Sequence, residues 1–307
     1  MTPSQRAVVA RLGTTQTLAW ASSYYLPALL AAPLSAELGL PVTSVFGAFT
    51  LALVISALVG PRAGRAIDEL GGRTVLLATN VLFALGLASL GLVQSEWQRW
   101  AAVETAAEEA DQRPQLREVS AAPRQVPRWM GMAMATVFAI TWFTSTAMAA
   151  HLPTLLQAQG LSQAAALGVA MLVGPAQVAG RLLEFGFLRH VHPLLSARLA
   201  AATHPLGVVG FMAFGPAAAW LFAGLHGTGN GILTIAKGTL PLVVFGAAGY
   251  GQRQGWLMAP ARIAQAAAPV LFGLAVTQWA SGALWLTAGL GVLALLMLQA
   301  MAAHLPR

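Results

Sequence analysis

Apolar residues fill long blocks of this sequence, and polar residues gather in the short gaps between them. A bilayer core needs roughly 20 apolar residues per helix. Nine blocks meet that length: 14–34, 43–61, 74–93, 129–151, 164–184, 195–214, 216–236, 255–278 and 282–301. The pattern predicts nine transmembrane helices. Residues 238–249 are apolar too, but the stretch is too short to cross and contains Pro241, so it reads as a loop or an interfacial segment. The first block follows Arg6 and Arg11 and ends in Ala-Pro-Leu-Ser-Ala, a layout shared with cleavable signal peptides. Its length, its Tyr24, Tyr25 and Pro27, and the apolar blocks after it favour a retained span.

One long polar stretch interrupts the pattern. It carries the acids Glu96, Glu104, Glu108, Glu109, Asp111 and Glu118 and the arginines Arg99, Arg113, Arg117, Arg124 and Arg128. Residues 97–110 fit a short surface helix, and 113–127, with Pro114, Pro123 and Pro127, read as a linker. The chain thus divides into a partial three-span bundle over 1–93, a polar linker over 94–128 and a six-span bundle over 129–307. The expected fold is all-α, a polytopic membrane helical bundle.

Composition agrees with that division. Hydrophobic types make up 57 % of the chain and charged types 9 %, against about 25 % charged in soluble domains. So few charges do not cover a water-exposed surface, which argues against a soluble enzyme, a nucleic-acid-binding domain or a disordered chain. Seventeen Lys+Arg against ten Asp+Glu is too sparse for tracking phosphates and fits basic cytoplasmic loops. With no cysteine, disulfides and thiolate chemistry are excluded. Heavy use of Ala and Gly suits helices packed backbone to backbone.

Two segments repeat. Gly60-Pro61-Arg62-Ala63-Gly64-Arg65-Ala66-Ile67-Asp68 follows the second span. Gly174-Pro175, then Gly180-Arg181-Leu182-Leu183-Glu184, occupies the matching place after the linker. Each has Gly-Pro, Gly-Arg, two apolar residues and an acid, with Arg73 and Arg189 downstream. Internal repeats are common in secondary transporters. Here the chain resembles the major facilitator superfamily, whose signature between helices two and three of each half is roughly G-x-x-x-D-R-x-G-R-R. Gly64, Asp68, Gly71 and Arg73 match its glycine, acid, glycine and final basic positions. Glu69 and Gly72 stand where that family often has basic residues, and the second copy keeps only Gly180, Glu184 and Arg189. The resemblance implies a conformational latch built on Gly64, Arg65, Asp68, Gly71 and Arg73, and on Gly180, Arg181, Glu184 and Arg189, with carboxylate and arginine paired on short loops. A typical member has twelve spans, so spans four to six are missing from this pattern. With three spans ahead of the linker, alternation places Arg189, Lys237 and Arg253 outside, against the positive-inside rule. A helical partner completing the first half would relieve that conflict, as would a frustrated first half or a third span that does not cross.

Ionisable residues inside spans are functional candidates by default. Lys237 ends the run Gly227-Thr228-Gly229-Asn230-Gly231, which reads as a broken helix baring backbone groups for a ligand. Its side chain binds a substrate carboxylate or snorkels to the headgroups. Arg262, near Pro260 and Gln265, is a candidate for anion binding or gating. His204, before Pro205, and His226 either bind solute, relay protons or pack as hydrogen-bonded core histidines. Tyr24 and Tyr25, in a span that lines the cavity in the resembled family, are candidates for solute contact or for packing around Pro27. His151 sits at a span end and reads as interfacial. His190 and His192 do not share a helical face, and no metal site is expected.

No Gly-x-Ser-x-Gly, Walker-type loop or His-Glu-x-x-His occurs, so no catalytic role, cofactor or ATP-driven step is expected. The sequence points to a gradient-driven, alternating-access transporter in a bilayer, on the bacterial inner membrane, without nucleic-acid partners. Its small solute is an organic anion by the excess of cations in the second half, with a coupling proton. The alternative is a shortened membrane protein that does not transport, or one that donates helices to another membrane protein.

Overall fold

Inside a bilayer no water satisfies a backbone N–H or C=O, so an apolar stretch folds as a helix with its hydrogen bonds internal. The computed structural model describes Ser35, Ala36, Gly39, 42–90 and 126–304. Among those residues there are eight α-helices and three short 3-10 helices, with no strand; the α-helices are α1 (Val42–Leu70), α2 (Gly72–Leu90), α3 (Arg128–Ala158), α4 (Gln163–Gly186), α5 (Pro193–Phe214), α6 (Ala219–Phe245), α7 (Tyr250–Trp279) and α8 (Leu284–His304). Five stretches are long and apolar enough to cross a membrane: Thr50–Leu70, Arg128–Ala158, Gln163–Gly186, Pro193–Phe245 and Tyr250–His304. The last two hold two helices each. The expected first span and the polar linker up to residue 125 lie outside the described residues.

Local chemistry sets several ends. Ser162 caps α4 by accepting from Ala165 N at 3.3 Å, and α5 starts on Pro193, whose missing N–H costs nothing in a first turn. Gly71, at φ 80°, ends α1 with its N–H donated to Ile67 O at 3.0 Å, a backbone conformation that L side chains resist.

Two expectations need correction. The first repeat is not a loop after a span ending at Pro61: α1 runs through it to Leu70, so Arg62, Arg65 and Asp68 ride on helix. Nor is α6 broken. It continues through the 227–231 glycines and past Pro241 to Phe245, taking in much of the stretch expected to be a loop. Both readings applied aqueous penalties for Gly and Pro; in lipid, neighbouring groups satisfy what a proline releases. Next to the Lys237 carbonyl whose i+4 donor Pro241 removes, the Tyr250 hydroxyl donates to Gly238 O at 2.7 Å.

The chain forms two compact units. The first comprises residues 1–118 with Gly251–Arg262, and the second 119–250 with 263–307. In the second unit, Met148, Leu155, Leu156, Phe211, Phe222, Phe272 and Leu284 build a buried core from α3, α5, α6, α7 and the start of α8. On α4 the opposite side is apolar and bare: Met171 is 76 %, Val178 54 % and Leu182 65 % exposed. Such a stripe suits acyl chains.

The glycines of α6 mark its closest approaches. A Cβ on Gly227 would fall 2.7 Å from Val173 O of α4, and one on Gly231 would overlap the backbone of Gln177. The spacing Gly227-x-x-x-Gly231 is the small-residue pattern that lets two helices touch. Gly231→Leu is therefore expected to separate α4 from α6, costing about 1–3 kcal/mol or more, read as a lower thermal midpoint and loss of monodisperse protein in detergent. An unchanged midpoint would refute the backbone contact.

Candidate functional site

α6 carries His226, Asn230 and Lys237 on one face. His226, Asn230, Leu233 and Lys237 fall at i, i+4, i+7 and i+11, a single helical stripe. The first three line a cavity of about 410 Å³, counting its open mouth, together with Thr141 and Thr144 of α3, Thr203 and His204 of α5 and Gly291 of α8. All of these belong to the second unit.

Two candidate histidines meet in this wall. His204 Nδ1 lies 3.0 Å from His226 Nδ1, and His204 Nε2 lies 3.0 Å from Thr287 Oγ1, which also reaches Leu284 O at 2.9 Å. All three side chains are buried, and Phe222 tilts its ring against both imidazoles. Asn230 Nδ2 donates to Ser145 Oγ of α3 at 2.9 Å. Thr144 Oγ1, in the cavity wall, is buried without a hydrogen-bond partner.

Lys237 does not stand at a flank. It is 2 % exposed, and its Nζ sits 4.4 Å from the centroid of the Trp142 ring on α3. The ring face offers negative potential to a desolvated ammonium. On α7, Arg262 is 4 % exposed, and Gln265 lies fully buried one turn further on.

The first repeat engages the start of α7 within its own unit. Gly60 and Gly64 on α1 face Gly255 and Gly251, and a Cβ on Gly255 would lie 2.6 Å from Pro61 Cα. At that contact Asp68 accepts from two backbone amides, Gly251 N through Oδ1 and Gln252 N through Oδ2, both at 2.9 Å. These are the second and third residues of α7, whose N–H groups have no partner inside the helix. The residue before α7, Gly249, has no side chain to cap them and sits in the left-handed region at φ 60°. Asp68 thus caps a helix far away in sequence, and Arg253 is near enough for its charge to interact with that carboxylate. The Asp68 carboxylate sits on a helix N-terminus, and α1 carries it there on helix rather than on a short loop.

In the second repeat Gly180 meets the backbone of Thr228. Arg181 is half-buried, and Glu184 is buried beside Ser196 of α5 with its Oε2 unbonded. Arg65 is exposed. Tyr24, Tyr25 and the side chains of Arg73 and Arg189 lie outside the described residues.

Other histidines hold structure. His192 caps α5, with Nδ1 accepting from Leu194 N at 3.2 Å, and His190 is exposed. His151 is not at a span end: it lies within α3 and its Nε2 donates to Pro269 O of α7 at 2.9 Å. Among the described residues no group of three His, Asp or Glu side chains gathers.

Sequence reasoning missed Thr287, Trp142, Thr144 and Ser145. The last three stand in the run Thr141-Trp142-Phe143-Thr144-Ser145-Thr146, a cluster of hydroxyls deep in an apolar block and visible without a structure. Thr287 has no such signal.

No family profile matches the sequence, and no curated protein matches it. Among solved structures, the chain is similar to the human organic anion transporter MFSD10 (TETRAN), with a TM-score of 0.64 and 15 % identity over 97 % of this chain and 100 % of that one. At that identity the likeness is one of architecture: this chain shares the all-helical fold of that structure.

Proposed function

We propose that this protein is a secondary transporter that moves a small organic anion across a membrane by gradient-driven alternating access. The polar face of α6 carries the reading. His226, Asn230 and Lys237 occupy one stripe of an apolar helix, two of them buried, and the first two line the cavity. A desolvated ammonium is a charge-assisted hydrogen-bond donor to an arriving anion. The organic anion transporter with the same fold supports the solute class.

The test is uptake of radiolabelled monocarboxylates and dicarboxylates into proteoliposomes, with and without imposed proton and potential gradients. Accumulation above protein-free vesicles is expected for at least one acid. Arg262→Ala is expected to lower it at least tenfold if Arg262 binds or gates the anion. No accumulation of any acid in either direction would end the anion reading, and equal flux in the variant would remove Arg262 from the site.

A second reading concerns assembly. Three apolar blocks precede the polar stretch of the sequence and six follow it, an imbalance that favours a helical partner for the first half. Cross-linking in native membranes would show a constant second band if a partner is present, and none if the chain works alone.

A further inference from the structure

Hydrogens in the cavity wall are ordered by their acceptors. Leu284 O can only accept, so Thr287 commits its hydroxyl hydrogen there and its oxygen accepts from His204 Nε2. A neutral His204 then has a bare Nδ1, and the 3.0 Å contact requires His226 Nδ1–H to donate to it. Among these four ring nitrogens, His226 Nε2 is left open, on the ring that lines the cavity. A proton added there makes an imidazolium whose bond to His204 becomes charge-assisted. A second proton has only His204 Nδ1 to occupy, and would set N–H against N–H at 3.0 Å.

The same cavity offers the other half of an ion pair. Thr144 Oγ1 is buried and has no partner, and Asn230, whose amide nitrogen uses one hydrogen on Ser145 Oγ, keeps another. Both line the space beside His226. No carboxylate or further cation lines it. The elements packed around the pair carry Arg128 and His151 on α3, Arg181 and Glu184 on α4, Arg198 on α5, Lys237 on α6 and His304 on α8. Lys237, on the same face of α6, is about 16 Å along the helix axis from His226.

We propose that His204 and His226 together form a one-proton site, and that a carboxylate-bearing solute docks in the cavity against protonated His226, with Thr144 and Asn230 donating to its oxygens. One proton and one carboxylate then enter together with no net charge, and both leave when the ring returns its proton to water. The solute half rests on the transport reading above; the proton half does not.

The experiment is nitrogen NMR on the full chain in lipid nanodiscs, labelled with 15N-histidine. The pair is identified by nitrogen–nitrogen coupling across its hydrogen bond, so no variant has to fold. At high pH the expected tautomers are Nε2–H for His204 and Nδ1–H for His226. On acidification the pair takes up one proton, at His226 Nε2. Acetate at 50 mM, the probe for the carboxylate, then shifts that nitrogen in wild type and not in Thr144→Val. Reversed tautomers, two protons taken up independently, or no uptake before unfolding would overturn the site. A protonated pair blind to acetate would overturn the docking. Absence of acid flux in proteoliposomes removes the transport reading and leaves the proton count standing, so the two failures are distinct.

Discussion

Lys237→Met is expected to reduce anion uptake by roughly 30- to 1,000-fold while leaving the thermal midpoint unchanged or raised. The two directions share one cause. Lys237 is 2 % exposed in a helix whose other buried positions are mostly apolar, with its ammonium over the Trp142 ring. The cation–π contact, worth about 2 kcal/mol when desolvated, is one of the interactions set against the several kcal/mol of moving an ammonium out of water. Methionine fills similar volume without that desolvation cost. A carboxylate passing Lys237 along this face of α6, in contrast, loses a desolvated charge partner, a change of about 2–5 kcal/mol, and each 1.36 kcal/mol is tenfold. Lys237→Arg keeps the charge but puts a planar guanidinium where a compact ammonium sits, so partial uptake is expected. Uptake by Lys237→Met at the wild-type rate would remove Lys237 from the solute path. A sharp fall in the midpoint would show instead that the ammonium holds the bundle together.

The helices were legible because their signal is local. A block of about 20 apolar residues is sufficient to call for a membrane helix, and α2 through α8 each contain most of a predicted block, with α3 and α6 running well past theirs at the C-terminal end. Glycine was misjudged. Gly227, Gly229 and Gly231 suggested a break, yet the pattern Gly-x-x-x-Gly recurs in Gly60/Gly64 and Gly251/Gly255, and at Gly64, Gly255, Gly227 and Gly231 a neighbouring backbone stands too close for a Cβ. Read as contact surfaces rather than flexible joints, those pairs would have suggested that α1 and α7 touch. His204 and His226 were visible as candidates, but not their contact. It needs α5 and α6 in register, with Thr287 of α8 behind them, and nothing within one helix encodes that placement. Asp68 shows the same limit: its type and spacing marked it, whereas its partners, two backbone amides of α7, carry no side-chain signature at all.

Asp68→Asn is expected to lower uptake at least tenfold and to lower the thermal midpoint as well, in contrast to Lys237→Met. The aspartate uses both oxygens, one on Gly251 N and one on Gln252 N. An asparagine keeps a single acceptor and turns an NH2 toward the other amide, so one N–H at the start of α7 loses its bond while the charge on the helix N-terminus disappears. Capping losses run to about 0.5–2 kcal/mol, and the charge–dipole term adds up to about 2 kcal/mol in partly buried geometry. No local residue takes over, since Gly249 has no side chain and its φ of 60° resists most replacements. The functional loss follows if the Asp68 contact has to form and break during the cycle: weakening it depopulates the conformation it holds, and each 1.4 kcal/mol removed shifts that population tenfold. Asp68→Glu should regain part of the midpoint, because the carboxylate persists, but little of the uptake, because α1 and α7 approach too closely at Gly64 and Gly251 to admit a longer arm in the same place. Measuring both quantities on both variants separates a cap from a latch. A lowered midpoint with full uptake would make Asp68 a stabilising cap alone, and no change in either would mean that the bidentate contact contributes nothing to the folded bundle.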